Sequence, residues 1–237
     1  MTTFDQETLA AGELRERGSQ QWQSYTMRLL NKTDLPEMLA LYDAVVAAME
    51  DPNMLWRYDD AVVEKFLGED GMVIGVFCAQ RLIGFRVLYI HHPGDPDNPL
   101  SCIGQSREET AHLALCVILP KFRGSSLQKK MGVPLLRAAM AEKPFTRLCS
   151  IVSPHNYPSI SDKIFQGMVV VKLMPKFKGI WRYIFYRDMT VPVGVRTAEP
   201  VFALSADYPR QIELLEQGYQ GVQLERRDSG DGMVFRR

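Results

Sequence analysis

The segment best suited to chemistry is residues 118–130, which read ILPKFRGSSLQKK. An apolar strand ends at Pro120, small residues follow, and a helix then begins, so the backbone N–H groups of the turn point outward. Small side chains let an anion approach that backbone closely. Basic residues surround the turn, namely Lys121, Arg123, Lys129 and Lys130. The pattern predicts a phosphate-binding turn, with an ordinary helix start and solvated basic side chains as the alternative.

A candidate base for proton transfer precedes this turn. His112 lies six residues before Ile118 on the same predicted strand, and strand alternation places both side chains on one face. Histidine titrates near neutral pH, so it is suited to taking a proton from an amine. Glu108 and Glu109, at the start of the strand, are the next candidates for this role. A histidine that only packs against the sheet is the alternative for His112.

A second group of residues follows the next strand. Ser153-Pro154-His155-Asn156 precedes a predicted helix, Ser159 lies within it, and Gly167-Met168 comes after it. Together with Arg123-Gly124 after an apolar strand, this group resembles the two motifs of the GNAT superfamily of acetyl-CoA-dependent N-acetyltransferases. Those motifs read R-G-x-G-x-G/A and N-x-x-A/S … G-F. The resemblance covers residues 26–190, in the family's order of elements.

The GNAT resemblance implies acetyl-CoA as the cosubstrate and no metal. It assigns coenzyme contacts to Cys116, Ile118, Arg123, Gly124, Ser125, Ser126, Leu127, Gln128, Lys129, Asn156, Ser159 and Lys163. The backbone N–H near Ile118 is expected to bind the thioester carbonyl or the pantetheine amide. Asn156 is expected to bind the pantetheine arm, with a helix N-cap as the alternative. The catalytic candidates are His112, Glu109 and Tyr157.

The sequence departs from the GNAT motifs at three positions. Ser126 and Gln128 replace the second and third glycines, so a positive φ is less accessible to the backbone there. Lys163 occupies the position at which many GNAT members carry a tyrosine that acts as general acid. Tyr157 is the nearest tyrosine to that position, and a buried hydroxyl in the core is its alternative role. These departures bear on the efficiency of catalysis and on the identity of the acid.

The rest of the sequence supplies the elements that must position these groups. Apolar periodicity over residues 26–190 predicts an α/β (mixed α+β) GNAT fold, with a mixed central sheet and flanking helices. Residues 1–25 are predicted to form a polar N-terminal arm with a short helical pattern. Residues 191–237 are predicted to form a strand–helix–strand–strand extension whose helix is capped by Asp207. Because the extension is too short to fold alone, it is expected to pack on the core or on a partner subunit.

Two apolar faces are predicted in more detail. The helix after the phosphate-binding turn is expected to run to about Ala141, with a kink at Pro134. Its buried face is expected to comprise Leu127, Met131, Leu135 and Ala138. The C-terminal extension is expected to bury Phe202, Leu204, Ile212, Leu214, Leu215, Tyr219, Val222 and Leu224.

Composition excludes several classes of protein. Lys and Arg number 28 and Asp and Glu number 28, so no net charge attracts nucleic acid. No signal peptide or apolar membrane span is visible, which predicts a soluble cytoplasmic protein without a membrane partner. The four cysteines form no CxxC pair and are expected to be free thiols. His91 and His92 lack a third ligand at a recognised spacing, so they are expected to be substrate-facing or solvated.

These residues predict transfer of an acetyl or other short acyl group from acyl-CoA to a primary amine of an unidentified acceptor. The alternative is a non-catalytic acyl-CoA-binding or scaffold protein with a GNAT fold, which the altered glycines and the missing tyrosine favour. Nucleotide hydrolysis has little support, because no G-K-[ST] follows the loop. A homodimer is left open.

Overall fold

The computed structural model describes residues 7–91, 99–104, 109–143, 145–177, 179–192 and 199–237. The chain divides into two compact units. Unit 1 comprises Met1–Tyr89 and Leu113–Lys143, and unit 2 comprises Ile90–His112 and Pro144–Arg237. The boundary between the units therefore falls within one strand, between His112 and Leu113.

The described residues form eleven strands and six α-helices. The strands are β1 (Ala10–Arg15), β2 (Trp22–Leu29), β3 (Gly71–Cys78), β4 (Arg81–Tyr89), β5 (Thr110–Ile118), β6 (Arg147–Val152), β7 (Val169–Lys176), β8 (Ile180–Asp188), β9 (Val201–Leu204), β10 (Gln220–Arg227) and β11 (Gly230–Arg236). The helices are α1 (Leu35–Ala47), α2 (Asp60–Lys65), α3 (Leu100–Ile103), α4 (Leu127–Glu142), α5 (Tyr157–Phe165) and α6 (Tyr208–Glu216).

Unit 1 is built on strands in the order β1-β2-β3-β4-β5. The pairs from β1 to β4 are antiparallel. Helix α1 covers the sheet with side chains at helical spacing, and Met38 and Tyr42 are fully buried there. Phe85 on β4 and Leu115 on β5 belong to the same apolar core. The sheet of unit 1 is therefore held by apolar burial, which is the main stabilising term in folding.

The N-terminal region of unit 1 is a β-hairpin, so the predicted helical pattern in residues 1–25 is wrong. β1 pairs with β2 from Ala10 opposite Met27 to Arg15 opposite Trp22. Burial along β1 alternates, with Leu14 only 1% exposed and its neighbours exposed. That period of two is the pattern of a half-buried strand. The extended conformation of β1 depends on its pairing with β2, which the local sequence of β1 does not reveal.

Helix α4 begins one residue after Ser126, as predicted, and runs through Pro134 without ending there. Its buried face includes Leu127, Met131 and Leu135, as predicted. Leu136 and Ala139 are buried as well, whereas the predicted Ala138 is only half-buried. Because α4 packs on β3 and β4, its N-terminus is fixed relative to the end of β5.

Unit 2 contains the mixed part of the sheet that the sequence predicted. Three residues of β5 pair in parallel with β6, whereas β6 pairs antiparallel with β8. The strand order continues β6-β8-β7-β10-β11-β9. The predicted strand–helix–strand–strand order of the C-terminal extension is confirmed, and Asp207 caps α6 by accepting from the Arg210 N–H at 3.1 Å.

The C-terminal extension continues the sheet of unit 2, because Gly221 on β10 pairs with Val170 on β7. Its core consists of Ala203, Leu214, Met233, Val234 and Phe235, each at most 4% exposed. Leu204 was expected to be buried, but it is 37% exposed. Alternation explains the difference, because neighbouring residues of β9 face opposite sides of the sheet. None of the helices in the described ranges has both the length and the apolar character needed to cross a bilayer.

Candidate functional site

The turn predicted to bind phosphate lies between β5 and α4, within unit 1. A short 3-10 helix, Pro120–Phe122, follows the strand, and the Arg123 N–H donates to the Pro120 carbonyl at 3.2 Å. The Ser125 hydroxyl donates to the Phe122 carbonyl at 2.6 Å. Gly124 has φ +87° and Ser126 has φ +60°. The backbone thus takes the left-handed conformation at two positions on the way into the helix.

Ser126 adopts the positive φ that the sequence interpretation considered less accessible to it. The conformation costs a non-glycine residue about 1–2 kcal/mol, because Cβ approaches the following carbonyl oxygen. Gln128, which stands at the third glycine position of the motif, needs no such conformation because it lies in the first turn of α4. The second glycine position of the motif therefore has a positive φ here, although a serine occupies it.

Replacing Ser126 with glycine should raise the free energy of unfolding by about 0.5–1 kcal/mol. Glycine removes the steric cost of the left-handed conformation. Part of this gain in stability is lost, because glycine also makes the unfolded chain more flexible. Chemical denaturation of both proteins measures the difference. Gln128→Gly is the matched control, because a glycine in the helix should lower stability by up to about 1 kcal/mol. A Ser126→Gly variant that is less stable than the native chain would contradict the left-handed conformation of Ser126.

The electrostatics of the turn favour an anion. The first N–H groups of α4 have no acceptor within the helix, and the Ser126 side chain does not cap them. The helix dipole adds partial positive charge at this end. Arg123 and Lys130 are exposed beside the turn, and Lys129 is half-buried. Lys121, by contrast, is paired with Glu16 at 2.8 Å.

One cation at this turn was not predicted from the sequence. Arg86 on β4 is fully buried and donates from Nη1 to the Gln128 carbonyl at 2.7 Å. A charged guanidinium inside the core requires hydrogen-bonded partners. It therefore holds the start of α4 and adds positive charge beneath the turn. The only sequence signal was a single arginine within the apolar run LIGFRVLYI.

The two predicted coenzyme contacts on β5 lie on its partly exposed face. Cys116 and Ile118 are half-buried, whereas Leu115 and Val117 are buried in the core of unit 1. This alternation confirms the predicted strand and places His112 in register with Cys116 and Ile118. The Ile118 carbonyl accepts from Arg123 Nε at 3.3 Å.

His112 is buried in unit 2, with 1% of its surface exposed. Its Nδ1 lies 2.7 Å from Nε2 of His91, and the two rings stack with centroids 4.9 Å apart. Its Nε2 is buried and has no hydrogen-bond partner among the described residues. Such an orphaned nitrogen costs about 1–3 kcal/mol, so it calls for an explanation beyond packing.

The imidazole of His112 is neutral. Burial is the main cause that holds its pKa well below the ordinary histidine value of 6.5, and the neighbouring His91 and Lys163 lower it further. For Nε2 to accept a proton, Nδ1–H must donate to Nε2 of His91, which fixes the tautomer of both rings. His91 is itself only 6% exposed, so the expectation that it is solvated is wrong. His92 lies outside the described residues.

The carboxylate of Glu109 is occupied by an exposed ion pair with Arg147. Its backbone carbonyl accepts from the N–H groups of Thr146 and Arg147, both at 2.9 Å. Glu109 therefore connects β5 to β6 at the surface of unit 2. Glu108, the other acidic candidate, lies outside the described residues.

The second motif begins helix α5. The Asn156 side-chain oxygen accepts from the Ser159 N–H at 3.1 Å, so the N-cap alternative is confirmed for that oxygen. Lys163 is 4% exposed, and its ammonium pairs with Asp162 at 2.9 Å. The charge of Lys163 also lowers the pKa of His112. The structure thus places a buried ion pair, rather than a tyrosine hydroxyl, at the motif's general-acid position.

Tyr157 is the first residue of α5 and is half-buried. It interacts electrostatically with Tyr183, Tyr208 and Arg226. These residues belong to β8 and to the C-terminal extension. Tyr157 therefore acts electrostatically on β8 and the C-terminal extension, whereas His112 contacts His91.

The residues predicted for chemistry thus form two groups. In unit 1, the turn brings together the residues from Ile118 to Lys130. In unit 2, His112, His91, Lys163 and Asp162 form a buried polar group, of which His91 and Asp162 were missed as site residues. Within the described part of the chain, no three His, Cys, Asp or Glu residues cluster in a way that could hold a metal ion.

Comparison with solved structures gives the same fold. NAA60 of Arabidopsis thaliana, in complex with acetyl-CoA, matches with a TM-score of 0.57 and 14% identity, over 70% of this chain and 99% of that chain. YncA of Salmonella typhimurium, a putative acetyltransferase with its cofactor acetyl-CoA, matches with a TM-score of 0.55 and 15% identity, over 70% and 94%. An acetyltransferase of the GNAT family from Streptococcus pneumoniae matches with a TM-score of 0.54 and 15% identity, over 70% of this chain and 99% of that chain.

The chain therefore has the GNAT fold. The mixed sheet, the flanking helices and the β5–turn–α4 unit all correspond to the fold that the two sequence motifs predicted. No family model matches the sequence. No curated protein matches it either.

Proposed function

We propose that this chain transfers an acetyl or other short acyl group from acyl-CoA to a primary amine. The observation that carries the proposal is the backbone of the turn, where Gly124 and Ser126 both have positive φ. These are the first two glycine positions of the GNAT coenzyme motif, and the second has a positive φ despite the cost to serine. A turn of this shape presents its N–H groups to a pyrophosphate. Two proteins of similar fold, NAA60 and YncA, have structures with acetyl-CoA.

The pantetheine arm is proposed to follow the edge of β5. The ladder between β5 and β6 has three residue pairs, of which the last joins His112 to Cys149. Beyond it, β5 continues to Ile118. The N–H near Ile118 is proposed to bind the thioester carbonyl or the pantetheine amide.

The reaction needs one proton acceptor and one group to stabilise the leaving thiolate. In the proposed step, the amine nitrogen attacks the thioester carbon while Nε2 of His112 takes a proton from that nitrogen, directly or through a water. The C–S bond then breaks, which leaves the amide, and CoA departs as a thiolate. The buried ammonium of Lys163 is proposed to stabilise that negative charge. Tyr157 remains the sequence-based candidate for protonating the thiolate.

Acetyl-CoA should stabilise the native chain, because a ligand that binds only the folded state raises its stability by mass action. At a concentration of about 100 times Kd, the gain is about 2.7 kcal/mol. Arg123→Glu and Ser126→Asp should abolish the gain, since each places a negative charge beside the pyrophosphate. Thermal unfolding with and without acetyl-CoA measures it. Thiol release across a panel of amines then identifies the acceptor.

Ser126→Asn is the matched control for Ser126→Asp. Both side chains have nearly the same shape and tolerate a positive φ, but only aspartate is charged. The asparagine variant should retain binding. Absence of binding at millimolar acetyl-CoA would refute the proposed coenzyme. Binding without thiol release for any amine would support instead a non-catalytic acyl-CoA-binding protein.

A further inference from the structure

The N-terminal hairpin of unit 1 is attached to the coenzyme turn. The loop between β1 and β2 donates the Arg17 N–H to the Lys121 carbonyl at 2.6 Å. Beside this bond, the Lys121 ammonium pairs with Glu16 at 2.8 Å. Hydrogen bonds from Lys121 and Gln23 lower the pKa of Glu16, which favours its carboxylate form. The loop is therefore held against the first residues of the turn.

The hairpin loop and the turn together line one cavity of about 720 Å³. Its charged lining residues are four cations, Arg15, Arg17, Arg123 and Lys130, and two acids, Glu13 and Glu16. Because Glu16 is paired with Lys121, the four cations outnumber the one remaining acid, Glu13, in the lining. The guanidinium of Arg17 forms no hydrogen bond or ion pair with the described residues. This cavity is thus suited to an anion with more than one negative charge.

The cavity also contains an aromatic surface. Trp22, the first residue of β2, is 61% exposed, and the Arg15 guanidinium lies over its ring at 4.9 Å. Exposed indole rings beside cations are typical of sites at which a base stacks. Lys130, from α4, lies over the ring of Tyr25 at 5.6 Å. Cations from the hairpin and from the turn therefore face one space that also offers a stacking platform.

We propose that this cavity binds the 3′-phosphoadenosine end of coenzyme A. The inference rests on the proposed function, because it takes the turn to hold the pyrophosphate of the same molecule. Arg15 and Arg17 bind the 3′-phosphate, for which the planar guanidinium is well suited. Trp22 stacks on the adenine. The hairpin, which lies before the part of the chain that resembles GNAT proteins, thereby becomes a coenzyme-binding element.

Calorimetric titration of CoA and of dephospho-CoA, which lacks only the 3′-phosphate, tests the proposal. The native chain should bind CoA at least about tenfold more tightly than dephospho-CoA, since charge-assisted hydrogen bonds to the phosphate are lost. Combined Arg15→Ala and Arg17→Ala substitutions should reduce CoA affinity to that of dephospho-CoA and leave the latter within about twofold. Trp22→Ala should weaken both ligands by about fivefold, because both carry adenine.

Arg210→Ala is the charge-matched control. This exposed arginine pairs with Glu213 on α6, in unit 2, and lies outside the cavity, so it should leave the ratio of the two affinities unchanged. Equal affinities of the native chain for CoA and dephospho-CoA would overturn the inference but leave the proposed function intact. If neither ligand binds, the proposed function and this inference both fail. Circular dichroism of the hairpin variants, whose changes are all at exposed positions, confirms that they are folded.

Discussion

Replacing His112 with alanine should lower the turnover of acetyl transfer by about 10²–10⁴, the usual contribution of a positioned base. The reason lies in its two ring nitrogens. Nδ1 is engaged with His91 at 2.7 Å, and Nε2 has no partner among the described residues. Acetyl-CoA affinity should change little, because the pyrophosphate turn is untouched. Steady-state kinetics and calorimetric titration of the variant measure the two quantities separately.

The pH dependence follows from the sign of the pKa shift. Because burial and nearby positive charge hold the pKa of His112 well below 6.5, the base stays neutral throughout the neutral range. The acid limb of the rate profile should therefore lie well below pH 6.5, rather than at the position of an ordinary histidine. Replacement of His112 should remove that limb. A limb centred near pH 6.5 would mean that another group is the base.

The same shift links His112 to stability. Between the folded pKa and about 6.5, the unfolded chain binds a proton that the folded chain does not. The free energy of unfolding should thus fall as pH decreases below about 6.5, by up to about 1.4 kcal/mol per pH unit, until the folded pKa is reached. In the His112→Gln variant, this contribution to the pH dependence of the free energy of unfolding should be absent.

The size-matched His112→Gln variant also separates catalysis from packing. A folded glutamine variant that binds acetyl-CoA but has lost turnover would support His112 as the general base. Unchanged turnover would contradict it, and would point to Glu108, to Glu109 or to an amine that arrives neutral. Loss of folding in both the alanine and glutamine variants would assign His112 to the core.

The features that could be predicted from sequence are those set by local chemistry. Pro120 and Gly124 mark the end of a strand and a turn, so the β5–turn–α4 unit was correct in position. Asp207 marks the start of α6 because a short acceptor side chain there caps the helix. In each case, residues close together in the sequence determine the structure.

The features that could not be predicted depend on neighbours that are distant in sequence. β1 became a strand because β2 offers a partner, and its charged residues concealed the alternation around Leu14. Arg86 has a structural role only because α4 begins above β4. The contact between His91 and His112 joins residues 21 positions apart. Sequence could therefore name His112 but could not show which of its nitrogens is available.

Ending the chain at Val191 should abolish the cooperative unfolding of unit 2 or leave the protein insoluble. Helix α6 packs on β7 and buries Leu214 and Gln211, which are 1% and 0% exposed. Gln211 accepts a hydrogen bond from Tyr183 on β8 at 2.5 Å. Burial raises the pKa of Tyr183, as expected for a hydroxyl held away from water. Truncation would remove its partner and expose the apolar face of β7.

Point variants give the same argument a quantitative form. Leu214→Ala should lower the free energy of unfolding by about 2–5 kcal/mol, because it leaves a cavity in a packed core. Leu204→Ala is the matched control. Its side chain is 37% exposed, so the change should stay within about 0.5 kcal/mol. Urea denaturation measures both values. A truncated chain that is soluble, monodisperse and as stable as the full chain would show that the extension is not part of the core. Equal losses in the two leucine variants would show that α6 does not pack as described.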